Sequence, residues 1–476
     1  MSSVVRTLNV TYVLPDRATA NPPPAAPHAD DGVVKLSFFD LLYVTMAPMQ
    51  SVFFYEGPNL QPFPSIVQSL RSSLATTLAT FLPLSGKLTY RPSSREVVID
   101  CSPAAVSPGV KFVEAEHCGA VDLRRIAGDD EHHTKVFTQL IPEVGPAGQL
   151  PAPVLAVQVT RSAAGGAVAV GMSMHHSVCD GRSFYRFMHA WARAAREGSP
   201  QATGLVRPIF NREAIRDPRV QELTRKSMRV FAAKTPVDPF PFPPADVAQQ
   251  RRRTFWLDAH RIQSLKQRLW RRGTGVIVES PSTFVAVASL VWTSIVRAKS
   301  MDQADDCYLL LSADIRSRLR PPVDEGYFGN CVMGCLARAT VADLLSDGDD
   351  GLVRAALAIQ TATREDLEDP MANVEDRLAC RRGLPAERVT VLGSSNQFRP
   401  YETDFGWGGA PPRVEMVSMT VMEEVAMRGA PNGGVQLSVA LDRTHMETVA
   451  SNIKQGLHVL ERILLNKREI ESSMQK

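Results

Sequence analysis

Apolar and polar residues alternate with a period of two at 4–13 (VVRTLNVTYV), the pattern of a strand with one buried face. The same reading predicts strands at 96–101, 110–116, 154–160 and 167–174, the last after a Gly165-Gly166 turn. At 64–81 apolar residues return every three or four positions, a helical spacing, and Pro64 suits a first turn. A second helix is predicted at 182–197. From 198 to 253 glycine, proline and charge are dense, with DPFPFPP at 238–244, so this stretch reads as a crossover with one helix near 220–232. Helices resume at 259–271 and 282–299, followed by an apolar strand at 307–313. The segment 351–378 is helical and disturbed at Pro370. Strands at 389–393, 414–425 and 435–441 precede a C-terminal helix at 444–465, and NPPPAA at 21–26 can only be loop.

Strands and helices intermix in both halves without an internal repeat. That predicts an α/β class with mixed β-sheets and flanking helices. At 476 residues the chain exceeds the size at which a single core stops growing. Two domains are expected, 1–200 and 254–476, with 201–253 as linker and part of 390–420 packing against the N-terminal domain.

Composition narrows the function classes. The net charge is +3, from 53 basic and 50 acidic side chains, too balanced to attract nucleic acid. No apolar run reaches the ~18 residues of a membrane span. The first residues lack the basic-then-apolar order of a secretory signal. The expectation is a cytoplasmic, reduced protein without membrane contact. Seven cysteines show no framework spacing, and the Cys331/Cys335 pair lacks the second pair a zinc site needs. Neither a disulfide scaffold nor a metal is expected.

The most informative stretch is GMSMHHSVCDGRS at 171–183. An apolar strand ends in His175-His176, a short turn follows, and a helix begins after Asp180-Gly181. A histidine at a strand terminus can project into a cleft while the sheet holds it, and imidazole accepts a proton near neutral pH. Alternation turns His175 to the opposite face, where a hydrogen-bonded core role is expected. Asp180 is placed to order the turn or to cap the helix, and Gly181 permits a positive φ. Cys179 reads as a small packed residue rather than a nucleophile. GMSMH lacks the second glycine of a nucleophile elbow, and no GxGxxG follows a strand. The second stretch is YETDFGWGGAPP at 401–412, a glycine-rich loop with aromatic anchors. Its Trp407 offers an indole N–H that could face developing negative charge. The basic runs Arg251 to Arg253 and Arg271-Arg272 read as solvated surface. The other reading is contact with coenzyme A phosphates. His132-His133 carries no expected role.

HHSVCDG followed more than two hundred residues later by DFGWG resembles the plant BAHD acyltransferase family. LSFFDLL at 36–42, FLPLSGKL at 81–88, STFVAVASLVW at 282–292 and YFGNC at 327–331 extend the resemblance over nearly the whole chain. The last two look most like the branch that acylates glycosylated flavonoids and phenolics, often with malonyl groups. The resemblance implies a chloramphenicol-acetyltransferase-like fold with an active-site channel between the domains. It implies His176 as general base, Trp407 and Ser37 as oxyanion donors, and a direct transfer from acyl-CoA, malonyl-CoA favoured, to a small-molecule hydroxyl. No permanently bound cofactor is implied, and a monomer is expected. It also implies an Asp180–Arg316 ion pair and structural roles for Asp404, Gly406 and Gly408. Ser282 and Thr283 are candidates for coenzyme A contact. Arg182 and Arg318 are candidates for a malonyl carboxylate, and Phe184 with Tyr185 for an aromatic acyl group. A hydroxycinnamoyl or acetyl transferase acting on another alcohol or an amine, a peptide-synthetase condensation domain and a decayed thioester-binding homologue are the alternatives.

Overall fold

The computed structural model describes residues 4–457 except 17–31, 120, 129–130, 133, 146–148, 199–205, 233–248, 278, 409–410, 412 and 419–422. The expected loop at 21–26, the DPFPFPP run, His133 and the helix beyond 457 lie outside the described residues.

The architecture is two-domain α/β with mixed sheets. A six-stranded sheet has the order Val5–Val13, Val110–His117, Leu155–Ser162, Ala167–Met174, Met49–Glu56, Arg413–Met416. A seven-stranded sheet has the order Val332–Thr340, Asp306–Asp314, Val389–Leu392, Glu424–Gly429, Val435–Asp442, Gln250–Leu257, Glu131–His132. Both contain parallel and antiparallel neighbours. A smaller four-stranded sheet joins Val33–Lys35, Glu96–Asp100, Lys87–Arg91 and Ala152–Pro153.

Strand Ala167–Met174 carries the His175-His176 pair at its end and is buried along its whole length. Val168, Val170, Met172 and Met174 enter one core with helices Phe63–Thr80 and Gly181–Glu197. Ala167 and Ala169 enter another with Phe54, Phe137 and Leu140. Burial on both faces is why the run reads as continuous apolar sequence. Gly171 is required by close approach: a Cβ there would stand 1.9 Å from the Leu140 carbonyl oxygen. Helix Gly181–Glu197 buries Phe184, Phe187, Met188 and Trp191, a stripe at i, i+3, i+4 and i+7. Gly198, at φ 73°, ends it in the left-handed region.

Two expectations need correcting. The run 414–425 is not one strand. Arg413–Met416 pairs with Met49–Glu56 in the first sheet, while Glu424–Gly429 pairs with Val435–Asp442 in the second. The chain crosses between sheets inside a stretch whose apolar character does not change. The basic run at 251–253 is not loose linker either, since Gln250–Leu257 is a strand of the second sheet. Arg252 is buried and donates to the Val417 carbonyl at 2.6 Å, while Arg251 and Arg253 pair with Glu447. Arg272 pairs with Asp350. The helix at 351–378 is divided into Asp350–Glu368 and Val374–Arg382, with Pro370 in the break.

Buried polar groups join the two sheets. Glu415, on the crossing strand, accepts from Arg413 Nε (2.8 Å), Gln436 Nε2 (3.0 Å) and Ser438 Oγ (3.0 Å). His132 lies 3.5 Å from the same carboxylate. Burial pushes this carboxyl up, but the charges of His132, Arg413 and Arg428 outweigh it and bring the pKa to about 2.

Candidate active site

A cavity of about 1150 Å³ opens between the two halves of the chain. His176 and Tyr43 contribute to its wall from one half, and Ser282, Asp314, Arg318 and Ser394 from the other. His176 is half-buried at the start of the turn His176–Val178, where the central strand ends. Its ring stacks on Tyr43 with centroids 3.8 Å apart and planes 5° from parallel. Nδ1 is buried and has no hydrogen-bond partner. Burial lowers the His176 pKa below its ordinary 6.5, against the opposing pull of its own carbonyl, Asp180, Asn330 and Asp40. The imidazole is therefore neutral, and a base, at physiological pH.

Its neighbour points the other way. His175 is buried, holds Ser177 Oγ at 2.8 Å, and has its pKa lowered to about 4 by burial and then by His176. Cys179 is fully buried, and burial raises its thiol well above the ordinary value, so no thiolate forms.

Asp180 turns away from His176 and ties the turn to the second half of the chain. Its Oδ2 meets Arg316 Nη2 at 2.8 Å and accepts from the Cys331 N–H at 3.1 Å, while Oδ1 caps the helix through the Ser183 N–H at 3.0 Å. Arg316 and Asp180 are both almost fully buried. Gly181 adopts no positive φ. A side chain there would collide with the Phe398 ring, 2.7 Å away, and that contact explains the glycine.

Several expected site residues lie elsewhere. Trp407 is 3% exposed, stacks on Phe405 (4.9 Å, 12°) and meets Tyr55 edge-on; it is absent from the cavity wall. Ser37 is buried and donates from Oγ to Asp40 Oδ2 at 2.8 Å, capping the short helix Phe38–Leu41, so its hydroxyl is committed. Phe184 and Tyr185 pack in the core against each other, and Tyr185 also against Phe398. Ser282 lines the cavity, but its Oγ caps helix Thr283–Ala298 by accepting from the Val285 N–H, and Thr283 does not reach the wall. Arg182 and Arg318 do line it, and Arg182 is held by Asp314 at 3.1 Å. Asp404 Oδ1 accepts from the Gly406 N–H at 2.8 Å, and Arg196 donates to the Asp404 carbonyl. Gly406 and Gly408 have φ of 81° and 144°, which favour glycine, so this loop is a packed turn beside the helix.

Four residues of the site were not singled out from sequence: Tyr43, Asp40, Arg212 and Asn330. Tyr43 and Asp40 lie in or beside LSFFDLL, and Asn330 lies in YFGNC. Only the motif positions hinted at them. Arg212 lies in the stretch read as linker and offered no signal, yet its Nε meets Asp40 Oδ2 at 2.9 Å in the interior.

Comparison with known proteins now bears on this arrangement. A profile of the transferase family matches residues 23–455. The chain belongs to that family, the BAHD acyltransferases. It is similar to phenolic glucoside malonyltransferase 1 of Arabidopsis thaliana, 27% identical over 96% of this chain and 98% of the relative. It is 30% identical to malonyl-coenzyme:anthocyanin 5-O-glucoside-6'''-O-malonyltransferase of Salvia splendens, over 89% of this chain and 91% of that one. Among solved structures, vinorine synthase has the same fold, with a TM-score of 0.70 at 20% identity, covering 93% of this chain and 96% of that chain. As a BAHD protein the chain is an acyltransferase. No helix among the described residues is long and apolar enough to cross a membrane.

Proposed function

We propose that this acyltransferase moves an acyl group, malonyl favoured, from a coenzyme A thioester to a hydroxyl of a phenolic or flavonoid glycoside, with His176 as general base. The carrying observation is an imidazole at the end of a buried strand, stacked on Tyr43 in the cavity wall, whose pKa burial lowers. The acceptor hydroxyl gives its proton to Nε2 as its oxygen bonds to the thioester carbonyl carbon. The tetrahedral intermediate then collapses, the C–S bond breaks, and the imidazolium returns the proton to the leaving thiolate. No acyl-enzyme forms, consistent with Cys179 being sealed and un-ionised.

The malonyl preference rests on two relatives named as malonyltransferases and on arginines in the wall. Arg318 and Arg364 are exposed in the cavity and can meet a free carboxylate, whereas Arg182 is occupied by Asp314. Malonyl, acetyl and coumaroyl thioesters competing for one phenolic glucoside test this reading through thiol release and product mass. Malonyl product should dominate, and Arg318→Ala should move the malonyl-to-acetyl ratio toward acetyl. An unchanged ratio removes Arg318 from the donor site, and equal thiol release by His176→Ala removes the base.

A further inference from the structure

A base that takes the acceptor's proton becomes a cation, and the burial of His176 already disfavours that charge. A carboxylate held against the imidazole is one answer to this problem. Here no carboxylate among the described residues lies within ion-pair reach of the ring. Asp180 is taken by Arg316 at 2.8 Å, and Asp40 by Arg212 at 2.9 Å. His175 is neutral, its pKa lowered to about 4, and burial keeps the thiols of Cys179 and Cys331 protonated. Across the cavity Asp314 is shared by Arg182 and Arg316, and Arg318 and Arg364 add only positive charge to the wall.

What does cover the ring is Tyr43. The two rings have centroids 3.8 Å apart and planes 5° from parallel, so the phenol lies face-on over the imidazole. Two neutral aromatic rings prefer an offset or edge-on arrangement, with centroids roughly 4.5–7 Å apart. Phe81 shows that preference, meeting Phe187, Phe210 and Phe328 edge-on. A close face-on approach instead sets the negative π face of Tyr43 over the ring that acquires positive charge. Tyr43 is buried and follows the short helix Phe38–Leu41. Its N–H meets the Asp40 carbonyl at 3.1 Å, and its own carbonyl accepts from the Met46 N–H at 3.2 Å, which fixes the ring's root. Burial, then the charges of Asp180 and Asp40, hold its hydroxyl well above the ordinary value against the pull of Arg381, so the phenol stays neutral.

We propose that the π face of Tyr43 stands in for the missing carboxylate: it fixes the plane of the His176 ring and stabilises the imidazolium as it forms. The face attracts the cation far more than the neutral ring, so its effect falls on the transition state. Tyr43 acts through the imidazole, as a positioning residue, and its hydroxyl plays no part. The inference rests on His176 being the base.

The test changes the electrons of the Tyr43 ring without changing its shape. Full-length Tyr43→Phe should keep the single-turnover rate of acyl transfer within about threefold of wild type, because the π face is retained. The same variant made with increasingly fluorinated phenylalanine, which draws electrons from that face, should lose rate stepwise to about tenfold, and the acid limb of kcat/KM should move down by about one pH unit. The sign follows from the cation: the π face favours the protonated ring, so weakening it lowers the His176 pKa. KM for both substrates should stay within about twofold along the series, since the change acts on the chemical step. Tyr43→Leu, which keeps apolar bulk over the ring, should match the most fluorinated variant. A rate independent of fluorination overturns the proposal. So does a rate loss with the acid limb unmoved, which leaves Tyr43 a packing role only. A loss of about 100-fold in Tyr43→Phe also overturns it, by giving the work to the hydroxyl. Wild-type turnover by His176→Ala would instead sink the base itself, so the two failures are distinct.

Discussion

The turn at His176 and the loop at Trp407 carry the two strongest motifs of the chain, and the fold treats them oppositely. The His176 ring faces a cavity while its backbone is gripped from three directions, by Asn330, by Arg212 and, through Asp180, by Arg316. The Trp407 ring is enclosed between Phe405 and Tyr55, in the core that also holds Trp191. One motif exposes a reactive side chain on a rigid frame, and the other is part of the frame. A motif's strength in sequence therefore says that its residues matter to the family, not that they touch substrate.

The largest effect should separate the two regions in rate. His176→Ala should lower kcat/KM by ~10²–10⁴-fold, the usual worth of a positioned general base, with little change in melting temperature. Comparable turnover would erase the distinction. The opposite signature is expected on the other side. Trp407→Ala should cost ~3–5 kcal/mol in denaturant unfolding, as for a buried aromatic truncated to a cavity, while Trp407→Phe keeps kcat within about threefold. A hundredfold kcat loss in Trp407→Phe would return the indole N–H to the chemistry. Asp180 sits between these extremes. Asp180→Ala leaves Arg316 uncompensated in the interior and should destabilise by ~3–5 kcal/mol, and a stable but inactive variant would argue for a direct role in proton transfer.

The smallest effect is in pH. The base form of His176 is the active one, and its pKa is lowered by burial below 6.5. The pH profile of kcat/KM should therefore rise along an acid limb lying below 6.5 and be flat above it. A limb centred above 6.5 would mean that the ring is not the desolvated base described. Stability has its own acid limit. Glu415 is held at about 2 in the folded chain against ~4.3 when unfolded, so its contribution is complete above the unfolded value and is lost as pH falls toward 2. Unfolding midpoints should drop over that window, and Glu415→Gln should flatten the drop.

Much of the scaffold around the site was legible in the sequence for local reasons. Continuous burial on both faces made 167–174 readable as a central strand, and a helical stripe bounded by Asp180 and Gly198 made the next helix readable. Strand 332–340 was missed because apolar residues fall on both of its faces, Val332 and Leu336 sharing the more open side with Gly334 and Arg338, so no clean alternation marks it. The division of 414–425 between two sheets was missed because both strands are apolar and periodicity does not say which sheet a strand joins.

By itself, then, the sequence determined the local elements, the family and the histidine at the end of a buried strand, because hydrophobic period, capping and short-range spacing are properties of neighbouring residues. Only the tertiary structure decided that Trp407 is enclosed and that Ser37 is committed to a cap. Only it decided that Asp40 meets Arg212 and Asn330 across 172 and 290 residues. Partners that far apart are chosen by how assembled sheets and helices pack, and a buried charge accepts them only where desolvation is repaid by several hydrogen bonds at once.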